Sequence, residues 1–256
     1  MEIILQTYDR LDSTNTLALD QARRGANEGL CIVARQQTAG RGRHGRAWVS
    51  EKDAGLYFSI ILRPRMDTQH LPLITLMAGV AVYHTLSEYG VDADIKWVND
   101  LLFDEKKISG ILAETAETPT GVAVIVGVGI NIRSSNLKGE LARTATSIET
   151  AAGRSPQPED LAETLTRFIS YFYEILCEPD GPKQILEEWS KRSSYYSGRS
   201  VRVRSGRAEI VGVTDGLESN GALRVKTADG DVKIIQTGDV ERLRADGPLS
   251  DAMQVH

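Results

Sequence analysis

Between Arg35 and Arg46 four arginines (Arg35, Arg41, Arg43 and Arg46) fall within twelve residues, with His44 added and no acid among them. In a chain of net charge −5 this is a local concentration of donors for an anion. Glycines interleave with the arginines in Gln37-Thr-Ala-Gly-Arg-Gly-Arg-His-Gly-Arg46. The backbone can therefore wrap closely while guanidinium forks grip carboxylate or phosphate oxygens in bidentate fashion. Such a loop is expected to stay mobile until its ligand arrives. A solvated surface loop, or a nonspecific RNA-binding Arg-Gly segment, would carry the same letters.

Three further clusters have the residue types for chemistry. Lys96-Trp-Val-Asn-Asp100 sets a lysine, an aromatic, an amide and a carboxylate at a strand end, where an ordinary Asn-Asp turn is the plainer explanation. In Lys106-Lys-Ile-Ser-Gly-Ile-Leu-Ala-Glu114, Lys107 opens an apolar strand and Gly110 leaves the backbone open to close approach, although most strand-flanking lysines are simply solvated. Gly127-Val-Gly-Ile-Asn131 places two glycines in an otherwise β-branched strand. That weakening points to a bulge or to a ligand lying against the backbone, with the Asn131 amide at the strand end.

These clusters need elements to hold them. Residues 2–8 read as a strand, and Asp12-Ser-Thr-Asn15 supplies N-cap residues for a helix whose apolar positions run to a Gly25 stop. Strands are expected at 30–36 and 56–63, with a strong helix at 72–89. Short strands follow at 94–97, 107–113 and 122–132, the last two joined by the hairpin-type link Thr118-Pro-Thr-Gly121. Helices are expected at 158–176 and 184–192. After Tyr195 the texture becomes short strands at 198–204, 208–213, 223–226 and 232–236 between Gly, Asp and Asn turns. That rhythm suggests a separate small β-barrel over 195–245, following a first unit over 1–194, with a frayed tail at 246–256.

Composition is that of an ordinary globular chain: 256 residues, 41% hydrophobic and 25% charged. The net negative charge argues against a dedicated nucleic-acid binder. Cys31 and Cys177 match no metal or redox spacing, and each is expected to be a small buried side chain. The longest apolar run, 122–130, is less than half what a bilayer needs, and the start of the chain does not read as a signal peptide. We expect a cytoplasmic protein without a membrane role.

Taken in order, Asp12-Ser-Thr-Asn15, Gln37-Thr-Ala-Gly-Arg-Gly-Arg43, Lys96-Trp-Val-Asn-Asp100, Lys107-Ile-Ser-Gly-Ile-Leu112 and Gly127-Val-Gly-Ile-Asn131 closely resemble the motifs of the biotin–protein ligases, over residues 5–245. The chain departs from that pattern at Val98, where the family usually has proline. The resemblance implies an α+β fold. Its parts would be a mixed β-sheet backed by helices, like that of class II aminoacyl-tRNA synthetases, and an SH3-like barrel. Because the chain starts at the first strand, we expect a monofunctional ligase without the DNA-binding helix-turn-helix of some relatives, and no specific DNA binding; a homodimer is left open.

The implied chemistry is formation of biotinyl-5′-AMP from biotin and ATP with Mg²⁺, then transfer of biotin to a lysine of a biotin carboxyl carrier protein. Lipoate–protein ligases and octanoyltransferases share the fold and are the alternative. By the resemblance, Ser13, Thr14, Asn15 and Gln37 surround the ureido ring, and Gly110 lies in the biotin site. Arg41, Gly42 and Arg43 belong to the loop that closes over biotin and the adenylate, with Arg43 on the phosphate. Lys107 contacts the biotin carboxylate, Lys96 the triphosphate, and Asp100 orients or deprotonates the acceptor lysine. Trp48 and Asn131 are assigned to the nucleotide side, Trp48 being equally readable as an anchor for the loop. No protein ligands for the metal are assigned.

Overall fold

The computed structural model describes residues 1–206 and 208–243. The expected tail at 246–256, and the last two residues of the expected barrel, lie outside them. Seven strands form the main sheet: β1 (Ile4–Tyr8), β2 (Leu30–Ala34), β3 (Gly55–Leu62), β4 (Asp94–Lys96), β5 (Asp100–Phe103), β6 (Lys106–Thr118) and β7 (Gly121–Asn131). Their spatial order is β1-β2-β3-β7-β6-β5-β4. Only β1 and β2 run parallel, joined by the crossover helix α1 (Thr14–Arg23); every other pair is antiparallel.

The two-residue side-chain period of a strand sorts the sheet into two faces. On β7, Val124, Val126, Val128 and Ile130 enter the large core. They pack with α2 (Leu73–Glu88), α5 (Pro158–Cys177) and α6 (Gly181–Ser190). Ala123 and Ile125 face α1 in a smaller cluster with Ala18, Ala22, Ile32 and Ile61. By the same alternation Gly127 and Gly129 fall on the α1 face, beyond the point where that cluster ends. There β7 carries no side chains on that face, and neither does Gly110 beside Gly129 on β6.

Of the two readings of these glycines, the bulge does not occur, because β7 keeps unbroken register with both β3 and β6. Other side chains take the space instead. A Cβ on Gly127 would sit 2.1 Å from Asn15 Oδ1, and one on Gly129 would sit 2.4 Å from the Trp48 ring. Ser13 caps α1, its hydroxyl accepting the Thr16 amide, which seats Thr14 and Asn15 against the sheet as buried first-turn residues. Between β7 and α5 lie two short helices that the sequence reading lacked, α3 (Leu141–Thr144) and α4 (Ile148–Ala152).

The C-terminal unit is a five-stranded antiparallel sheet of the SH3-like kind. It comprises β8 (Ser197–Ser205), β9 (Ala208–Leu217), β10 (Leu223–Lys226), β11 (Val232–Ile235) and β12 (Asp239–Arg242), in the order β11-β10-β9-β8-β12. Strand β12 was not anticipated. Its four residues hold one buried apolar side chain, Val240, too little pattern to read from sequence. The barrel is docked by the turn between β9 and β10: the indole N–H of buried Trp97 donates to the Gly221 carbonyl at 2.9 Å, and Gly221 (φ +84°) abuts Leu73 and Leu76 of α2. Cys31 is buried as expected and its thiol is pushed up to about 12 by desolvation. Cys177 is exposed, contrary to expectation, because it is the last residue of α5 and turns away from the core.

Candidate active site

The bare patch of sheet is the floor of the site. Gly110 and Gly129 are cross-strand partners, and the Trp48 ring lies over both. Around that ring are two cavities. One, of about 180 Å³, is lined by Ser13, Thr14, Asn15, Gln37, Arg41 and Gly127 among others. The second, of about 470 Å³, is lined by Lys96, Asn131, Leu137, Arg143, Thr144 and Arg242 among others. Ala47, Trp48, Asp100, Lys107 and Leu141 line both, so these five stand where the cavities meet.

The floor of the smaller cavity is a connected polar network. Gln37 Oε1 accepts the Thr14 amide at 2.8 Å and lies 3.2 Å from the Thr14 hydroxyl. The buried Ser59 hydroxyl reaches both Thr14 Oγ1 (2.8 Å) and Asn15 Oδ1 (2.6 Å). The Asn15 amide nitrogen donates to the Leu112 carbonyl and to Glu114 Oε2. A ligand entering here meets hydroxyls and amides already held in place, so little rotamer freedom remains to be lost.

The arginine-rich loop, in which Arg43–Gly45 make one turn of 3₁₀ helix, lies across this floor with its guanidiniums engaged. Arg41 pairs with Glu114 at 2.6 Å. Arg43 donates to Asn99 Oδ1 (2.8 Å) and to Thr237 of the barrel (3.0 Å). Arg46 pairs with Asp239 of the barrel at 2.7 Å. Burial pulls the Arg43 guanidinium below its ordinary value, against the opposing pull of Asp239 and Asp100. Arg35 does not belong to this group. It forms a bidentate pair with Asp53, on the strand side of the loop, and lines neither cavity.

Where the cavities meet, Lys107 Nζ is 2.7 Å from Asp100 Oδ1 and 5.4 Å from the centre of the Trp48 ring. Lys96 is the cross-strand partner of Asp100 on the β4–β5 hairpin, so two lysines flank one carboxylate. Burial lowers the Lys96 ammonium from its ordinary value, Asp100 opposes that shift, and Lys107 adds to it. The Trp97–Val98 peptide in the turn of this hairpin is cis.

Asn131 is buried. Its amide nitrogen donates to the backbone carbonyls of Thr146 (3.0 Å) and Lys107 (3.4 Å). The Thr146 amide in turn donates to the Lys107 carbonyl. Residues around α3, which cover the larger cavity, are thereby stitched to the backbone at Lys107.

Sequence reasoning did not single out Asn99, Glu114, Arg143, Thr237 or Asp239. Asn99 and Glu114 stood inside quoted motifs, whereas Thr237 and Asp239 carry no local signal and arrive only through barrel docking.

Residues 7–131 match the Biotin/lipoate A/B protein ligase family, and residues 196–243 match the Biotin protein ligase C terminal domain. The bifunctional ligase/repressor BirA of Bacillus subtilis is 36% identical over 241 residues, covering 91% of this chain and 72% of that protein. The chain belongs to the biotin protein ligase family. The biotin–[acetyl-CoA-carboxylase] ligase of Paracoccus denitrificans is 33% identical, over 86% of this chain and 93% of its own length. Among solved structures, the Aquifex aeolicus biotin protein ligase in complex with biotin and ATP superposes with a TM-score of 0.81 at 29% identity, covering 94% of this chain and 99% of that one. The second matched domain and these relatives place the chain on the biotin side of a family whose description also includes lipoate. Among the described residues, no helix is long and apolar enough to cross a membrane.

Proposed function

We propose that the smaller cavity takes biotin, the larger takes ATP, and the reaction between them takes place beside Lys107. A carboxylate is a poor acyl donor, and an acyl-adenylate corrects this. In the first half-reaction a biotin carboxylate oxygen attacks the α-phosphorus of ATP; the bond to the bridging β-phosphate oxygen breaks and pyrophosphate leaves. Two anions must meet, so catalysis rests on cations already in position. Lys107 meets the carboxylate, Lys96 the phosphates, and Arg41, Gly42 and Arg43 close over the mixed anhydride. In the second half-reaction a lysine of a biotin carboxyl carrier protein attacks the acyl carbon and AMP departs, with Asp100 orienting that amine and accepting its proton.

Ser13, Thr14, Asn15 and Gln37 suit the ureido ring, and Gly110 gives the room beside it. Trp48, which lines both cavities, closes one side of the adenylate. Asn131 supports the nucleotide side through the backbone it holds. The observation that carries the reading is that a cavity floored by a hydroxyl and amide network and roofed by arginines meets a second, larger cavity at the Lys107–Asp100 pair.

Among the described residues no three His, Cys, Asp or Glu side chains cluster as a metal cage. This donor set fits Mg²⁺ carried by phosphate oxygens and water. When bound, the ion neutralises triphosphate charge. We read residues 1–194 as the catalytic unit and 195–245 as the barrel, in a cytoplasmic enzyme.

The test is mass spectrometry of a carrier domain incubated with the enzyme, biotin and MgATP. One added biotin on one lysine, and no addition when lipoate replaces biotin, is the expected result. An unmodified carrier with an active control ligase run in parallel would refute the proposal.

A further inference from the structure

We infer that Glu114 is a positioning residue that sets the direction of the Asn15 amide and holds Arg41 over the smaller cavity; this rests on that cavity being the biotin site. Glu114 follows Gly110 and Leu112 on the same face of β6, so the strand's alternation carries it to the cavity rim. One of its oxygens, Oε2, accepts from Asn15 Nδ2 at 2.8 Å and from Arg41 Nη2 at 2.6 Å. The carboxylate thus ties a first-turn residue of α1 on the floor to an arginine of the covering loop, seventy-three positions from it in sequence.

The inference about direction is chemical. An ionised carboxylate only accepts, and so does the Leu112 carbonyl that shares the Asn15 nitrogen. With two acceptors on one side, the asparagine must turn its NH₂ toward them. Its carbonyl oxygen then points the other way, to the Ser59 hydroxyl and the bare backbone at Gly127, where a Cβ would lie 2.1 Å from it. Gly127 lines the cavity. The floor therefore offers an acceptor oxygen with a second lone pair toward the ligand, and a cyclic urea brings N–H donors.

Neutralising Glu114 weakens both constraints. A glutamine can donate or accept at either end, so only the Leu112 carbonyl still fixes the direction of the Asn15 amide, and Arg41 loses its charged partner. Selection should fall on the ureido group and on retention of the intermediate, with no direct effect on phosphate chemistry.

The experiment compares Glu114→Gln, Arg41→Ala and the double variant with the unmodified chain. Biotin affinity is read by calorimetry, ATP affinity by the same means, and free biotinyl-AMP by chromatography of the filtrate. Near-ultraviolet circular dichroism checks that each variant keeps its fold. We expect Glu114→Gln to weaken biotin about tenfold or more, the loss of a charge-assisted hydrogen bond, with ATP affinity within about twofold of the parent. We expect it also to release adenylate to solution, and to weaken biotin further in the Arg41→Ala background, where only the Asn15 arm remains.

If Glu114→Gln binds biotin as tightly as the unmodified chain, or has no effect once Arg41 is gone, the positioning role is overturned. If instead the unmodified chain does not bind biotin, it is the site assignment that fails.

Discussion

At the scale of single residues, the two lysines beside Asp100 stand in different surroundings, and the proposed function gives them different work. Lys107 is held by Asp100 at the junction of the cavities, so it is available to whatever anion bridges them. Lys107→Ala should raise the KM for biotin about tenfold to a hundredfold, the cost of a charged hydrogen bond. Steady-state kinetics at saturating ATP reads this directly, and an unchanged KM would remove Lys107 from the carboxylate.

Lys96 is half-buried, and burial lowers its ammonium from the ordinary value of 10.5. The charged form is present below that depressed value and is lost as pH rises through it. The alkaline fall in kcat/KM for ATP should therefore begin below the ordinary lysine range, since this parameter reports the free enzyme. In Lys96→Arg the guanidinium stays charged, and the alkaline limb should move upward. An identical limb in both proteins would assign it to another group.

At the scale of elements, the decisive feature is where the period of β7 places its glycines. Valines and isoleucine take one face and build the core, while Gly127 and Gly129 leave the other face low enough for Asn15 and Trp48 to lie on the backbone. Gly129→Ala introduces a methyl 2.4 Å from the Trp48 ring, which must move. The strand itself tolerates alanine, so the fold should survive while the ring is displaced into a cavity. We expect kcat/KM for biotin to fall at least about tenfold, with overpacking costing about 1–3 kcal/mol. Wild-type kinetics with Tm unchanged would mean that Trp48 does not depend on that floor. The loop shows the same logic from the other side. Its glycines let it lie flat, and its three arginines find acceptors on β6, on the β4–β5 hairpin and on the barrel.

At the scale of the molecule, the barrel is part of the site. It supplies Thr237 and Asp239 to the loop and Arg242 to the wall of the larger cavity, where Arg242 pairs with Glu105. Among the contacts that hold it there is the docked turn at Gly221, whose positive φ admits glycine without cost and whose carbonyl receives Trp97. Gly221→Ala should destabilise the chain by about 1–2 kcal/mol from the backbone alone, with Leu76 also in the way. Differential scanning calorimetry should show a lower Tm, and adenylate formation should fall with it. A Tm equal to the parent's would show that the turn is not the anchor. The Arg46–Asp239 pair, exposed on both sides, contributes little to stability.

The order of motifs, the N-capping cluster Asp12–Asn15, the strands β3 and β7 and the change of texture after Tyr195 were legible in the sequence, because each is local. Side-chain period, capping and turn chemistry act over a few residues, and they marked most of the longer elements, while the motifs in their order carried the resemblance to the family and the candidate site residues. Contacts distant in sequence were decided only by the tertiary structure. Gly127 and Gly129 could be seen to make room, yet nothing near them named Asn15 and Trp48 as the occupants. Arg35 looked like a member of the cationic loop until Asp53 claimed it. Glu114, Asn99 and Asp239 gained their partners through packing of the sheet, the loop and the barrel. Strand pairing and domain docking bring together groups whose separation in sequence carries no periodic trace, so no local pattern could encode them.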